Sequence, residues 1–308
     1  MQIELEKINI RSKNELAKHF SSTSNHIQML KNINLVIKNF WKYYYNHKNS
    51  IPKEWKYIRV SKWPLRVLNK LVNEQILKKI DKKIPNFIFG WISGKNHIKA
   101  VQEHKVKRNR TYIKLDLKRY FDQIDLWMVI GNLITKLWCW KKWAKVIGLL
   151  CCVPQWEFFN DKNKRLLARW FNTSSRLAVL CSLDFFQRIN WMLLKKYKHL
   201  KPKISVYVDD ITISLNNTSK KEIKDILNKI YSLSEKYNLV LNKSKEEVIE
   251  DTRTIEILWI KMQEWKLSLW KKSYWKKKEA YKKWLLWDKL ALKSIIWYKN
   301  YTKTLTNS

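Results

Sequence analysis

Apolar and polar residues alternate with particular regularity across residues 204–215, in the segment ISVYVDDITISL. Ile204, Val206 and Val208 alternate with Ser205, Tyr207 and Asp209, and Ile211, Ile213 and Leu215 resume the pattern after a two-residue break. A period of two predicts half-buried strands, so the segment reads as a hairpin with Asp209 and Asp210 alone at its tip. Two adjacent, unshielded carboxylates repel each other, and a divalent cation is the usual compensation. Asp is also an ordinary turn residue, which is the plainer reading of the same pair.

A second segment, 112–124 (YIKLDLKRYFDQI), begins as a strand through Tyr112, Ile113, Leu115 and Leu117 and carries Asp116 among apolar residues. A carboxylate buried alone is costly, so such an aspartate is normally paired or bound to a metal. A strand bearing Asp116 and a later hairpin bearing Asp209 can converge on the same ions. Elsewhere the period is helical. The first fifty residues read as helices, and 13–30 has the shape of a small helix-turn-helix on Leu16, Phe20, Ile27 and Leu30. Leu177, Cys181, Phe185, Ile189 and Met192 form a core stripe, and 220–237 reads as a basic amphipathic helix. Residues 126–159 predict helices and a loop without candidate chemistry.

With these residues in view, the chain resembles the reverse transcriptases. Asp116-Leu117-Lys118-Arg119-Tyr120-Phe121 is similar to their first palm motif, and Tyr207-Val208-Asp209-Asp210 to their YxDD motif, in the family's order. The resemblance spans almost the whole chain and implies an α+β right-hand polymerase with fingers, palm and short thumb. The implied parts are an N-terminal helical extension (1–50), fingers (51–108), a palm (109–262) and a basic thumb (263–308). The palm would be a small antiparallel sheet carrying the YxDD hairpin, with a helical insertion at about 126–165. The implied activity is RNA-directed DNA synthesis by two-metal nucleotidyl transfer, with two Mg²⁺ ions or Mn²⁺ in their place. Asp116 and Asp209 would carry the ions, with Asp210 a weaker contributor and Leu117 beside them.

Further positions follow from the same resemblance. Ile51-Pro52-Lys53 and the strand bearing Arg59 resemble the fingers entry, which makes Lys53 and Arg59 a clamp on the incoming triphosphate. The plainer reading is two solvated cations on a hairpin. Phe121 would lie beneath the sugar and exclude a 2′-hydroxyl, unless Phe121 is core and Tyr120 faces the sugar. Residues 165–183 resemble the block Leu-Pro-Gln-Gly-x-Pro-Thr-Ser-Pro, with Arg169 for Gln, Trp170 for Gly, and Ala168, Asn172 and Ser175 for the prolines. Arg169 and Trp170 would then border the nucleotide. Asn242-x-x-Lys245 resembles an element whose lysine protonates the departing pyrophosphate. Residues 89–104 resemble another block, in which His104 is structural, and 257–260 resembles the primer-grip hairpin. Within the family the retron-type enzymes are most similar; they copy a structured RNA into DNA and belong to antiviral defence. They imply a structured RNA template, an RNA/DNA hybrid, deoxynucleoside triphosphates and an effector protein as partners. Diversity-generating or intron-derived enzymes, or a catalytically decayed nucleic-acid-binding protein, are the alternatives.

Charge changes this picture only by reinforcing it. The chain carries 63 Lys and Arg against 26 Asp and Glu, a net +37, which self-repulsion disfavours unless a polyanion is the partner. Residues 261–308 hold thirteen lysines and three acids. Cys139, Cys151, Cys152 and Cys181 lack a CxxC spacing, so neither a zinc site nor a disulfide framework is predicted. The start, MQIELEKINI, has no signal pattern, and the apolar run 146–153 is below spanning length. The expectation is a cytoplasmic protein without a membrane partner.

Composition holds one anomaly, 18 Trp against 4 Gly. Trp stands where turns require Gly: Trp265 lies between two alternating runs, Trp55 in a similar break, and Trp170 and Trp259 where the resembling family has Gly. Some bacterial lineages read UGA as glycine, and translation under the code that reads it as tryptophan would give this pattern. The expectation is that most of the 18 Trp codons are UGA, and that the working protein carries Gly at Trp55, Trp170, Trp259 and Trp265 in particular. The alternative is a Trp-rich protein with aromatic platforms for stacking bases.

Overall fold

The computed structural model describes residues 13–21, 25–50, 57–104, 110–154, 164–250, 254–263, 266–269, 276, 278, 279 and 289–306. Lys53, Trp55 and Trp265 lie outside the described residues. The centre is a four-stranded antiparallel sheet in the order β6 (Lys203–Tyr207), β7 (Asp210–Asn216), β3 (Arg110–Asp116), β8 (Glu247–Ile249). Adjacent residues of β3 point to opposite faces, and each face has its own core. Ile113 joins the main core with Leu177, Phe185, Phe186 and Ile189 of α7 (Ser174–Lys196). Tyr112 joins a smaller core with Ile98 and Val101 of α4 (His97–Gln102), Ile255, Ile257, Ile260, Met262 and Leu305.

Covering both faces corrects the half-buried expectation for β6 and β7. Ser205, Thr212 and Ser214 are buried along with the aliphatic residues. Two of these hydroxyls are satisfied by His104, whose Nδ1 lies 2.8 Å from Ser214 Oγ and whose Nε2 lies 2.8 Å from Ser205 Oγ. Burial pushes the His104 imidazole down to about 3, so it stays neutral and ties α4's end to both strands. The hairpin register also differs by one residue from expectation. Tyr207 pairs with Asp210, so the two turn residues are Val208 and Asp209, and Asp210 belongs to β7 opposite Asp116.

Around the sheet, α1 (Lys13–Phe20) and α2 (His26–Lys38) bury Leu16, Ala17, Phe20, Ile33 and Val36 in the main core. Ile27 is exposed, so the expected stripe runs through Ile33 and Val36 instead. The N-terminal fifty residues are not wholly helical: β1 (Tyr44–Asn46) pairs antiparallel with β2 (Arg59–Ser61), a hairpin straddling position 50. Helix α3 (Leu65–Leu71) follows. Helices α5 (Leu126–Leu137) and α6 (Lys141–Cys151) lead into the short pair β4 (Cys152–Pro154) and β5 (Arg165–Leu167). Helix α7 is long and apolar enough by length and composition to cross a membrane, yet most of it is buried inside the protein, as befits a core helix. Helix α8 (Lys220–Lys236) opens on a capping box of Ser219 and Glu222. A three-stranded sheet of β9 (Thr254–Ile257), β10 (Ile260–Gln263) and β11 (Lys266–Leu269) and the final helix α9 (Lys289–Thr306) close the second core. The four cysteines are free thiols.

Ten described non-glycine residues have positive φ, and four are tryptophans: Trp91 (61°), Trp138 (54°), Trp170 (72°) and Trp259 (66°). Trp138 terminates α5, the place where a left-handed glycine commonly closes a helix. Leu258 (48°) and Trp259 form the two-residue β9–β10 turn, and a turn with both residues left-handed is the type that favours Asn-Gly.

Candidate active site

Asp116 closes β3 opposite Asp210, and the Leu117 N–H donates to the Asp209 carbonyl at 3.1 Å. Three carboxylates from two chain segments are thereby brought to one end of the sheet. A third segment meets them. Asn242 N–H donates to the Asp116 carbonyl at 2.8 Å, its Nδ2 lies 3.3 Å from Asp116 Oδ2, and Lys245 Nζ lies 2.9 Å from Asp116 Oδ1. The Leu117 side chain is buried and its backbone bridges to Leu241, which holds this segment against β3.

The carboxylates open on a cleft of about 810 Å³ lined by Lys114, Asp116, Asp209, Asp210, Lys245 and Trp259, among others. Burial pushes the Asp209 carboxyl up, with Asp116 adding to the effect. Burial, reinforced by Asp209 and Asp116, pushes Asp210 up to about 7. The hydrogen bond to Asp116 raises Lys245. Lys245, Lys114 and Arg169 oppose these shifts without cancelling them, so the clustered carboxylates meet the electrostatic condition for a cation. Among the described residues no three Asp, Glu, His or Cys side chains enclose a metal position by themselves.

Nearby, Tyr120 is fully buried and its hydroxyl donates to the Ala178 carbonyl at 2.8 Å. Phe121 is half-buried, so of the two rings Tyr120 is core and Phe121 is the one left accessible. Arg169 Nη2 pairs with Asp122 Oδ2 at 2.6 Å. Arg59 is buried rather than projecting into solvent, bonds Asn46, and stacks over the Tyr57 ring at 4.7 Å. Arg169, Arg119 and Arg59 all act to lower the Asp122 carboxyl against its burial, so three arginines gather around one acid beside the carboxylate site. Trp170 is 60% exposed, its indole 5.3 Å from the His47 ring.

A model of the reverse transcriptase (RNA-dependent DNA polymerase) family matches residues 46–262, well over half the chain. The chain belongs to this family. Comparison with curated proteins finds no match. Among solved structures, telomerase of Candida albicans in complex with the TWJ fragment of telomeric RNA shares 12% identity at a TM-score of 0.40. That match covers 67% of this chain and 37% of the other. Apo telomerase of Candida tropicalis shares 14% identity at a TM-score of 0.41, covering 68% and 40%. The chain thus spans about two fifths of those structures' length.

Two residues of this reverse transcriptase domain acquire weight only in three dimensions. A Cβ on Gly90 would lie 2.4 Å from Val208 N and 2.7 Å from Val208 Cγ2, so only glycine lets this segment lie against the turn that presents Asp209. Asn242 occupies the second oxygen of Asp116. The sequence signal for the first was the scarcity of Gly itself, since only four positions have it. For the second it was spacing to Lys245.

Proposed function

We propose that the chain is an RNA-directed DNA polymerase. The observation that carries this is the convergence of Asp116, Asp209 and Asp210 at one end of a buried sheet, in a chain of the reverse transcriptase family. Asp116 and Asp209 would hold the cations, with Asp210 contributing from β7 and the Leu117 backbone alongside. Bound Mg²⁺ would supply Lewis-acid activation of the primer 3′-hydroxyl and charge neutralisation on the triphosphate. The chain's own residues do the rest. Lys245, held charged by Asp116, is placed to give its Nζ proton to the departing pyrophosphate. Arg169, paired with Asp122, and Arg59, buried and bonded to Asn46, would turn from these partners to give cationic forks to phosphate oxygens. Phe121 lies under the sugar and selects deoxynucleotides by its bulk.

The finer reading is a retron-type enzyme that copies a structured RNA, with an effector protein as a further partner and a cytoplasmic site of action. Support comes from the net charge of +37 and from α1 and α2, which pack into the main core as an N-terminal extension. The test is primer extension on poly-rA with oligo-dT, with and without Mg²⁺. Metal-dependent incorporation is expected. Its absence, both in this chain and in a chain carrying glycine at positions 91, 138, 170 and 259, would contradict the polymerase reading. Offering RNA transcribed beside the gene tests the finer one. Preference for a variable-repeat transcript or for flanking intron RNA would replace it with a diversity-generating or intron-derived enzyme.

A further inference from the structure

The four left-handed tryptophans share a backbone that an indole does not favour. A non-glycine residue at positive φ brings its Cβ against backbone, and the residues that tolerate this are Asn and Asp. Asn217 and Asn238 fit that rule here. Trp does not, and at its share of the chain it would fill fewer than one of ten such positions. Burial offers no compensation. Trp91, Trp138, Trp170 and Trp259 are 52% to 63% exposed, so no core holds the rings in exchange for the strain. Their settings are glycine settings: a helix end at Trp138, a two-residue hairpin turn at Trp259, and Trp91 directly after Gly90.

We infer that the working protein carries glycine at positions 91, 138, 170 and 259, their codons being UGA read as glycine. The sequence raises this expectation for most of the 18 tryptophans and singles out Trp170 and Trp259 among described residues; the backbone singles out Trp91 and Trp138 as well. It also assigns a role to two of the positions. Trp259 lines the catalytic cleft, and Trp170 follows Arg169, which pairs with Asp122 near the carboxylates. With glycine at 259, backbone rather than an indole forms that part of the cleft wall; with glycine at 170, the backbone beside Arg169 is bared, and nucleotide or template can approach it closely. This consequence rests on the polymerase reading; the backbone inference does not.

Peptide masses of the protein isolated from its own host, or the nucleotide sequence of its gene, give the first test. Glycine masses or UGA codons at the four positions are expected, and tryptophan masses or UGG codons there overturn the inference. Thermal unfolding gives a second, independent of activity. Trp138→Gly should raise Tm by about 2–4 °C. Trp127→Gly, at a still more exposed but helical position, should give no gain, because glycine is disfavoured within a helix. An equal gain from both would mean that losing any exposed indole suffices, and would overturn the backbone explanation. In primer extension, Trp170→Gly should lower KM for the nucleotide at least severalfold with a smaller change in kcat. An unchanged KM beside a raised Tm would overturn the role assigned to position 170 in nucleotide approach while leaving the backbone inference standing.

Discussion

The β6–β7 and β9–β10 hairpins both turn on two residues, and both force a bulky side chain into left-handed backbone. Val208 has φ of 62°, Leu258 and Trp259 have 48° and 66°. Their surroundings differ. Val208 is buried, its backbone lies hard against Gly90, and a bridge beside it joins Phe89 N–H to the Val206 carbonyl and Val206 N–H to the Phe87 carbonyl, each at 2.8 Å. A β-branched residue at positive φ is a true outlier, worth about 1–3 kcal/mol, and persists only where packing over-determines it. Trp259 is 59% exposed. An unfavourable backbone enforced by packing next to paired carboxylates marks a working site, whereas the same backbone under a solvent-facing indole marks a residue foreign to its position.

The largest effect should come from removing what the enforced turn serves. Asp116→Ala is expected to reduce nucleotide incorporation by about a thousandfold or more, on the scale of losing electrostatic stabilisation in a transition state. RNA affinity is expected to persist, since the substitution leaves every lysine and arginine in place. Asp210→Asn should be equal or milder, since its carboxyl is already pushed up to about 7. Single-turnover rates measure both.

Smaller, and sharper for the comparison, is Gly90→Ala. The new Cβ must displace Val208, an overpacking cost of about 1–3 kcal/mol. Where this falls on the positioning of Asp209, incorporation should drop about tenfold to a hundredfold. A loss of Tm with an unchanged rate constant would show that Gly90 supports the fold and not the turn. Val208→Gly should behave oppositely to Trp259→Gly: the first relaxes the backbone yet lowers incorporation, because a packed side chain is lost, while the second raises Tm by a few degrees without that penalty. Parallel behaviour of the two would break the distinction between them.

A further effect concerns selection. Phe121→Val is expected to raise ribonucleotide use by roughly tenfold, with deoxynucleotide incorporation retained. Unchanged discrimination would put Tyr120 at the sugar, despite its burial and its bond to Ala178.

Much of this was legible in the chain because period-two patterning places Asp116 on a strand and Asp209 between two strands whatever surrounds them. The turn's register was not, since no local rule puts valine at positive φ; Gly90, more than a hundred residues earlier in the chain, imposes it. Ser205 and Ser214 read as solvent positions because their acceptor and donor, His104, is likewise distant in sequence. The Arg169 pairing with Asp122 and the burial of Arg59 depend on tertiary placement that charge alone does not encode. Trp138 was legible in hindsight as the residue after an amphipathic helix, but an indole there hid the glycine signal that normally ends one.

Asp209→Ala incorporation, measured beside RNA affinity in the same preparation, tests the catalytic role of the enforced turn most directly. Incorporation is expected to fall below a thousandth of wild type, on the scale of losing electrostatic transition-state stabilisation, with RNA affinity within about twofold of wild type because the substitution removes no lysine or arginine. Retention of even about a tenth of wild-type incorporation, a loss of only ~1.4 kcal/mol, would contradict it.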